Sequence, residues 1–340
     1  MLYHGYEADF DEVVGRFDFS GLYTKKILVT GATGMIGACL VDFFIYLNQN
    51  KSANIKIKIL ARSSNGVLET FGLNADYIEV VEGDIRSVDT SRFGDDLDYI
   101  VNAASIANPA AYISNPVETI DTSILGVRSL LDYAKSSKLE RIIHLSTVEV
   151  TGVVRGGIVS EDTIGGVDIM NTRASYPESK RLSEVYCRSY NSQYGTDVVI
   201  ARPVKTYGLY NNKSDNRAMA YMQRCMEAST NIRLGTKAQS RYALCYAVDV
   251  VTAILTLLLH AKSGETYNIA DGASYASISD IAEELAKRVG LSVEYETLED
   301  SKFSQIASDM RYDSSKLESL GWYPLTSLAD GMDKIVRFVR

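Results

Sequence analysis

Short apolar, β-branched runs alternate along the chain with longer stretches in which apolar residues recur every three or four positions. The first run, residues 25–30 (KKILVT), leads into a glycine-rich turn and then into an apolar-periodic stretch over residues 38–47. The same pattern recurs in the runs at residues 55–60, 77–81, 99–103 and 142–146. Apolar runs of this length, bounded by turns, are typical of buried strands. Strands that alternate with helices predict an α/β fold, a doubly wound parallel sheet of the Rossmann type.

The longest helical pattern covers residues 116–135. One face of this stretch carries the apolar residues Ile120, Ile124, Val127, Leu130, Leu131 and Ala134. A stripe at this spacing predicts an amphipathic helix that packs on the sheet. Residues 248–261 are almost uniformly apolar but too short to cross a bilayer, so they predict a buried helix.

After about residue 205 the alternation loosens, and the last third of the chain predicts a smaller layer. We predict a Rossmann domain over residues 1–205, with residues 1–24 as an N-terminal extension, and a smaller α/β part over residues 206–340. No linker rich in Pro, Gly or Ser separates the two, so the division allows interleaved segments. Because ligand pockets in such sheets open at the carboxyl ends of the strands, we expect the smaller part to cover the ligand.

Composition argues against nucleic acid and membranes as partners. The chain has 35 basic and 43 acidic side chains, a formal charge of −8, and no run of Lys or Arg longer than two. A nucleic-acid binder needs a concentrated cationic face, and no stretch reaches the roughly 18 to 20 apolar residues that span a bilayer. The acidic, aromatic start lacks the pattern of a secretory signal, so we expect a cytoplasmic protein. The scattered cysteines and histidines show no metal-ligand spacing, and no metal site is expected.

The glycine turn after the first strand indicates a dinucleotide site. Gly31, Gly34 and Gly37 form GATGMIG between the strand and its helix. Such a turn lets the backbone approach a pyrophosphate, whose charge the amino terminus of the helix stabilises. Tight packing of strand on helix is the alternative interpretation. The candidate cofactor contacts at this turn and at the end of the fourth strand are Gly31, Thr33, Gly34, Met35, Ile36, Gly37, Ala103 and Ala104.

The end of the second strand bears on the choice between NAD and NADP. NAD sites usually place Asp or Glu there, to bind the ribose hydroxyls and repel a 2′-phosphate. Here the segment reads LARSS, and Arg62 with Ser63 suits a 2′-phosphate, which favours NADP; alternatively, Arg62 only stacks on adenine. Asp84 and Ile85 follow the third strand as further cofactor contacts, with Asp84 either accepting from the adenine amine or capping a helix.

Tyr176 and Lys180 are the candidate proton-transfer pair. They lie four residues apart in YPESK, on one face of a predicted helix. A phenol with its ordinary pKa near 10 is a poor base at neutral pH, but an ammonium one turn away and a nicotinamide cation both favour the phenolate. Thr147, in the pair Ser146-Thr147 after the fifth strand, offers a hydroxyl to the same substrate oxygen. A surface pair that arises by chance among 22 tyrosines is the alternative.

Taken in order, GATGMIG, the Asn-Ala-Ala strand end, the Ser-Thr pair and YPESK resemble the extended short-chain dehydrogenase/reductases that act on nucleotide sugars. The stretch from Arg202 to Gly208 is similar to the family's R-P-x-x-x-Y-G segment beside nicotinamide, which makes Pro203 a cofactor contact. The resemblance covers residues 25–330. It implies a tightly bound NAD or NADP, a nucleotide-diphosphate sugar as substrate, and oxidation of the sugar at C4 while Tyr176 takes the hydroxyl proton.

The resemblance also assigns substrate contacts, namely Ser105, Thr147, Lys205, Arg217 and Arg241. Lys205 stands where relatives usually have Asn near the diphosphate. The segment Gln239-Ser240-Arg241, ahead of Asp249, is similar to the family's arginine and aspartate segment over the diphosphate. We predict that Arg241 meets the diphosphate, with Lys205 and Arg217 as further candidates.

The resemblance to this family also implies a homodimer. The helices at residues 116–135 and 176–194 of each subunit would then form a four-helix bundle. Tyr186 and Tyr190 are candidate contacts, although both are equally suited to covering the sheet.

The residues after Thr147 bear on the reaction that follows oxidation at C4. In the family, 4-epimerases need no further acid or base, 4,6-dehydratases carry Thr-Asp-Glu, and UDP-glucuronate decarboxylases carry Thr-Ser-Glu. This chain has Thr147-Val148-Glu149, so Glu149 argues for chemistry beyond epimerisation and Val148 argues against the standard dehydratase. We therefore favour a decarboxylase-like or 4,6-dehydratase lyase, with Thr147, Glu149, Tyr176 and Lys180 as catalytic residues. The alternatives are a 4-epimerase, a net NADP-dependent reductase and a non-catalytic NAD(P)-binding module.

Overall fold

The structure is a computed structural model that describes residues 2–72, 75–154, 157–210, 215–235, 240–296 and 309–340. Gln239 of the predicted arginine segment lies outside these ranges. The strands are β1 Lys26–Thr30, β2 Lys56–Ala61, β3 Ile78–Glu82, β4 Tyr99–Asn102, β5 Arg141–Leu145, β6 Ile158–Val159, β7 Val198–Pro203, β8 Lys205–Tyr207, β9 Ile232–Gly235, β10 Arg241–Tyr246, β11 Thr266–Ile269, β12 Tyr275–Ser277, β13 Val293–Glu296 and β14 Arg311–Tyr312. The helices are α1 Glu7–Val14, α2 Met35–Lys51, α3 Ser64–Phe71, α4 Pro109–Ser114, α5 Pro116–Ser136, α6 Ser175–Tyr194, α7 Ala218–Glu227, α8 Ala247–His260, α9 Ile278–Val289, α10 Ser315–Glu318 and α11 Leu328–Val339.

Seven parallel strands form the central sheet, in the order β11-β7-β5-β4-β1-β2-β3. Helices cover both faces, so β1, β4, β5 and β7 are buried almost throughout and consist mainly of apolar and β-branched residues. This arrangement confirms the prediction of a Rossmann-type sheet. Its outermost strand, β11, comes from beyond residue 205 and extends the sheet next to β7.

A second layer lies beyond the carboxyl ends of the central strands. Its largest sheet has the order β12-β10-β8, and two parallel pairs, β13 with β9 and β14 with β6, complete it. β6 comes from the first half of the chain and β14 from its last tenth. The second layer is therefore built from both of the predicted parts of the chain. At the start of α8, which packs against α2 and the central strands β5 and β7, the buried Asp249 carboxylate accepts hydrogen bonds from the backbone of Leu325 and Thr326, at 2.8 and 3.1 Å. Asp249 therefore anchors the C-terminal segment.

The N-terminal extension packs into the core. The side chains of Tyr6, Phe10, Val13 and Leu22 are all fully buried. The Tyr6 hydroxyl accepts a hydrogen bond from the Leu209 backbone at 2.7 Å, which links the start of the chain to the second layer. No helix within the described ranges is long and apolar enough to cross a membrane.

Helices α5 and α6 pack side by side on one face of the sheet. The predicted apolar stripe of α5 is correct for Val127, Leu130 and Leu131 but wrong for Ile120, which is 41% exposed. Ile120 is exposed because Thr119 and Ser123 form the buried face at that end of α5. On α6, Tyr190 is partly buried and donates a hydrogen bond to Asp132 at 2.6 Å. Both helices keep further large apolar side chains in solvent, at Val117, Leu125, Leu182 and Val185.

Candidate active site

The glycine turn forms an open cradle at the carboxyl end of β1. Gly31 has a φ of +68°, and a Cβ there would lie 2.6 Å from the Ala103 backbone. A Cβ on Gly37 would lie 2.3 Å from the Gly31 carbonyl oxygen. Gly34, just before α2, is exposed, and its Cβ would have only the Gly31 carbonyl within 4 Å. Two glycines thus allow close backbone packing and the third leaves the amino terminus of α2 open, which fits a pyrophosphate.

The remaining predicted cofactor contacts differ in how closely they border this cradle and in how deeply they are buried. Ala103 and Ala104 border Gly31 directly, and the Thr33 carbonyl accepts a hydrogen bond from the Tyr210 hydroxyl at 3.0 Å. Met35 and Ile36 are partly buried against the core at the start of α2. Pro203 is buried at the end of β7, and Ile85 is buried beneath Gly126 of α5.

Acidic groups surround the end of β2. The Ser63 hydroxyl caps α3 by accepting from the Gly66 backbone, while Ser64 donates from its backbone and its hydroxyl to the Glu82 carboxylate. Asp84 forms an ion pair with Arg86 at 2.7 Å, and this contact lowers its pKa, with a smaller contribution from Arg62. The carboxylate that β2 lacks is therefore supplied next to it, from Glu82 of β3 and from Asp84.

Tyr176 and Lys180 lie together on the buried face of α6. The Tyr176 ring stacks on the Tyr112 ring, with centroids 5.0 Å apart and planes 7° apart. Burial, with the Glu149 carboxylate, raises the pKa of Tyr176, whereas the Thr147 hydroxyl lowers it. The phenol consequently keeps its proton in the free chain. The Lys180 ammonium donates to the Leu145 carbonyl at 2.8 Å.

A buried chain of hydrogen bonds connects the cradle with the Tyr-Lys helix. Thr30 donates to the Asn102 side chain at 2.7 Å, and the Asn102 amide donates to His144 at 3.1 Å. His144 contacts the Ser183 hydroxyl at 2.8 Å, and that hydroxyl donates to the Lys180 carbonyl. Burial lowers the pKa of His144, which keeps the ring neutral and able to accept from Asn102. The network fixes β1, β4, β5 and α6 relative to one another.

Replacing Lys180 by methionine is expected to stabilise the fold at pH 7. Burial lowers the pKa of Lys180 from 10.5 to about 8, so the folded chain binds this proton more weakly than the unfolded chain. Stability therefore rises between pH 8 and 10.5 as the lysine loses its charge, and the cost is fully present below pH 8. After the loss of one hydrogen bond, Lys180→Met should gain about 1–3 kcal/mol at pH 7.

Denaturant unfolding at pH 7 and pH 10 measures this effect. The advantage of Lys180→Met over the wild type should shrink at pH 10. Lys262, which is 81% exposed, provides the matched control, because Lys262→Met should show no such pH-dependent difference. A Lys180→Met variant less stable than the wild type at pH 7 would contradict the argument.

Glu149 forms an ion pair that the sequence did not predict. Its carboxylate contacts Arg173 Nη2 at 2.9 Å. The Arg173 guanidinium also lies 5.4 Å from the centre of the Tyr112 ring, which stacks on Tyr176. Val148, between Thr147 and Glu149, is buried. The only sequence signal for Arg173 is its place three residues before the tyrosine of YPESK.

Contacts of Glu184 that the sequence did not predict connect α6 to β7 and to the end of β5. Glu184 of α6 forms a buried ion pair with Arg202, at 2.6 and 2.9 Å. The same carboxylate accepts from the Ser146 hydroxyl at 2.5 Å. Arg202, the arginine of the R-P segment, is therefore paired with Glu184, and this ion pair positions the adjacent Pro203. The hydrogen bond from Ser146 to Glu184 positions the adjacent Thr147.

The predicted substrate contacts fall into two groups. Arg217, together with the unpredicted Arg173, acts electrostatically on both Tyr176 and Lys205, so all four lie within electrostatic range of one another. Arg217 forms an ion pair with Asp215 at 2.5 Å, and the accessible Lys205 ammonium lies 4.3 Å from the centre of the Tyr242 ring. The Ser105 hydroxyl, next to Ala104, is buried and has no hydrogen-bond partner among the described residues.

Arg241 lies apart from this group. Its guanidinium donates to the Tyr275 carbonyl at 3.0 Å and lies 5.2 Å from the centre of that ring. Arg311 lies 4.7 Å from the centre of the same ring. None of the described contacts joins Arg241 to Tyr176, so its assignment to the diphosphate stays a prediction.

Comparison with known proteins agrees with this site. The family model for the NAD dependent epimerase/dehydratase family matches residues 27–270. UDP-glucuronic acid decarboxylase 6 of Arabidopsis thaliana is 29% identical, over 90% of this chain and 86% of its own length. The dTDP-D-glucose 4,6-dehydratase of Bos taurus is also 29% identical, over 96% of this chain and 93% of its own.

Among solved structures, the UDP-glucuronic acid 4-epimerase of Bacillus cereus in complex with NAD superposes with a TM-score of 0.75. It is 25% identical and covers 92% of this chain and 96% of its own. Decarboxylation, dehydration and epimerisation are thus all represented among proteins similar to this chain. With the glycine cradle, the Tyr-Lys helix and the matched family model, this chain belongs to the NAD-dependent epimerase/dehydratase family of extended short-chain dehydrogenase/reductases.

Proposed function

We propose that this enzyme oxidises a nucleotide-bound uronic acid at C4 and then decarboxylates it, with UDP-glucuronate as the first substrate to test. The Glu149–Arg173 ion pair next to Tyr176, with the apolar Val148 between the two catalytic positions, carries the proposal. The glycine cradle would hold the pyrophosphate of NAD, which when bound would supply reversible hydride transfer at C4. The residues of this chain supply the proton transfers and the charge stabilisation.

Tyr176 and Thr147 act at the oxygen on C4. The Thr147 hydroxyl is positioned to hydrogen-bond that oxygen, and Tyr176 removes its proton. The pKa of the phenol is raised in the free chain, so the transfer depends on positive charge from the oxidised cofactor and Lys180. The same phenol then donates to the ketone oxygen.

The resulting ketone makes a carboxylate on C5 a β-keto acid. Carbon dioxide leaves, and the electron pair passes to the C4 oxygen, where Tyr176 and Thr147 stabilise the enolate. An ionised Glu149 holds no proton of its own, so we assign it to relaying one from solvent to C5 after carbon dioxide has left. This cleavage needs no acid at position 148, whereas loss of water from C6 in a dehydratase needs one. The buried Val148 therefore favours decarboxylation.

We propose NAD as the natural cofactor. Glu82 accepts two hydrogen bonds from Ser64 at the amino terminus of α3, and Asp84 lies near Arg62. The two carboxylates hold Ser64 and Arg86, two of the groups that a 2′-phosphate would need as partners, which favours NAD over NADP. The NAD-bound structure of the Bacillus cereus relative supports this choice.

The test is incubation of purified protein with UDP-glucuronate and either NAD or NADP, followed by mass spectrometry of the sugar nucleotides. A product lighter by carbon dioxide, formed faster with NAD, is the expected result. Unchanged mass with a new chromatographic peak would replace the proposal with 4-epimerisation. Loss of water from UDP-glucose or dTDP-glucose would replace it with dehydration.

We further propose that α5 and α6 pair with their copies in a homodimer. Among the described residues, these helices expose Val117, Ile120, Leu125, Leu182 and Val185. Val185→Glu places a charge in this surface and is expected to convert the dimer to a monomer, as measured by sedimentation. Leu68→Glu on α3 is the control, because Leu68 and Val185 are both 52% exposed. Equal behaviour of the two variants would argue against the interface.

A further inference from the structure

Glu149 interacts with three residues that carry buried hydrogen-bond donors without partners in the described part of the chain. Arg173 Nη1, the Tyr242 hydroxyl and the Tyr312 hydroxyl have no hydrogen-bond partner within the described part of the chain. Their residues are only 8%, 4% and 6% exposed, respectively. A buried donor left unpaired costs about 1–3 kcal/mol, and such groups in native proteins call for an explanation. Three of them on residues that interact with the same carboxylate indicate that a ligand supplies the missing acceptors.

Arg173 connects the group to the reacting centre. One terminal nitrogen, Nη2, binds Glu149 at 2.9 Å, while the other, Nη1, is the unpaired one. The guanidinium lies 5.4 Å from the centre of the Tyr112 ring, and this ring stacks on Tyr176, the phenol that acts on C4 in the proposed reaction. Arg173 therefore contacts the direct neighbour of that phenol.

Tyr242 and Tyr312 approach Glu149 from the second layer. Tyr242 lies on β10 beneath the Lys205 ammonium, with Ser240 as its polar neighbour. The backbone hydrogen bond from Asp309 to Arg241, at 2.8 Å, ties β10 to the segment that leads into β14 and Tyr312. Burial raises the pKa of both phenols, and the Glu149 carboxylate adds to each shift. Both hydroxyls therefore lie within electrostatic range of Glu149.

Most members of this group are hydrogen-bond donors. A guanidinium nitrogen, two phenols and the Lys205 ammonium can all donate, and the Glu149 carboxylate is already engaged by Arg173. A planar carboxylate offers several acceptor positions and a charge that matches this set. A neutral hydroxymethyl group would leave several of the donors unpaired in a buried place, which penalises its binding strongly.

We propose that Arg173, Tyr242 and Tyr312 form a subsite for the C6 carboxylate of the sugar, with Arg173 as the residue that selects uronates over neutral hexoses. The proposal rests on the proposed function for the position of C4 at Tyr176. It does not rest on decarboxylation itself, because an epimerase acting on a uronate would need the same subsite.

Calorimetric titration of the NAD-loaded enzyme with UDP-glucuronate, UDP-glucose and UDP tests the subsite. Arg173→Lys keeps a charge for Glu149 but loses the second terminal nitrogen, so it should weaken UDP-glucuronate binding by about 10- to 100-fold. Affinity for UDP should stay within about twofold, since UDP has no carboxylate. The wild type should bind UDP-glucuronate more tightly than UDP-glucose.

Tyr312→Phe gives an independent test that does not threaten the fold. Removing an unpaired buried hydroxyl should leave the melting temperature unchanged or higher, yet weaken UDP-glucuronate binding by about 3- to 10-fold. Tyr207→Phe is the matched control, because the Tyr207 hydroxyl is likewise buried and unpaired but lies against Gly331 of α11. That variant should bind all three ligands like the wild type.

The outcomes separate the two proposals. Equal weakening of all three ligands in Arg173→Lys would assign Arg173 to the diphosphate or to the fold and overturn the subsite. Tighter wild-type binding of UDP-glucose than of UDP-glucuronate would also overturn it. Selective loss of UDP-glucuronate binding in an enzyme that releases no carbon dioxide would support the subsite and reject only the decarboxylation.

Discussion

Replacing Tyr176 by phenylalanine is expected to lower kcat by about 10²- to 10⁴-fold, the usual contribution of a positioned acid or base. The change removes only the hydroxyl. The ring keeps its stack on Tyr112, at 5.0 Å between centroids, and the cofactor cradle is untouched. The variant should therefore purify with as much bound dinucleotide as the wild type. Substrate turnover and the absorbance of bound cofactor are the two measurements.

Tyr112→Phe is the matched control for this prediction. Tyr112 is as buried as Tyr176 and stacks on it, but it belongs to α4 and lies against Arg173, not one helical turn from Lys180. Its variant should keep most of the activity. Full turnover in Tyr176→Phe, or an equal loss in both variants, would reject the assignment of proton transfer to Tyr176.

The central sheet was predictable because its signal is local. Strands buried on both faces must be apolar along their whole length, and a helix between parallel strands must show a 3.6-residue period. The glycine turn was predictable for a similar reason, since Gly31 needs a positive φ and Gly37 a close backbone contact. The strands and helices of the sheet and the glycine turn can each be recognised from a few consecutive residues.

Long-range contacts were not predictable from such patterns. No periodicity indicates that β11 joins the central sheet beside β7, or that Arg173 from the short turn Thr172–Ala174 meets Glu149. The contact of Glu184 with Arg202 is of the same kind, because it joins α6 to β7. These pairs depend on how helices and strands pack against one another. The pattern of apolar residues within a single helix or strand carries no information about that packing. Ile120 shows the same limit, since an apolar stripe does not indicate that the small polar residues Thr119 and Ser123 form the buried face at that end of the helix.

The site also suits the acidic substrate that we propose for this acidic protein. The chain carries a net charge of −8, yet Arg173 and Arg217 both act electrostatically on Tyr176 and on a third cation, Lys205. Only Glu149 and Asp215 oppose them there through described ion pairs. A local excess of positive charge inside a cleft acts at short range, where it is screened least by salt. Substrate binding should consequently depend on these residues and not on the overall charge.

Replacing Gly37 by alanine is expected to remove the cofactor and lower the free energy of unfolding by about 1–3 kcal/mol or more. The new Cβ would lie 2.3 Å from the Gly31 carbonyl oxygen and 2.8 Å from its carbon. Both are backbone atoms, so relief requires α2 to move away from β1, which opens the pyrophosphate cradle. Gly66→Ala in α3 is the control with the opposite sign: its Cβ would meet nothing within 4 Å, and alanine should gain about 0.5–1 kcal/mol there. Thermal unfolding and bound dinucleotide measure both effects, and a Gly37→Ala variant that keeps its cofactor and melting temperature would show that the cradle does not depend on this contact.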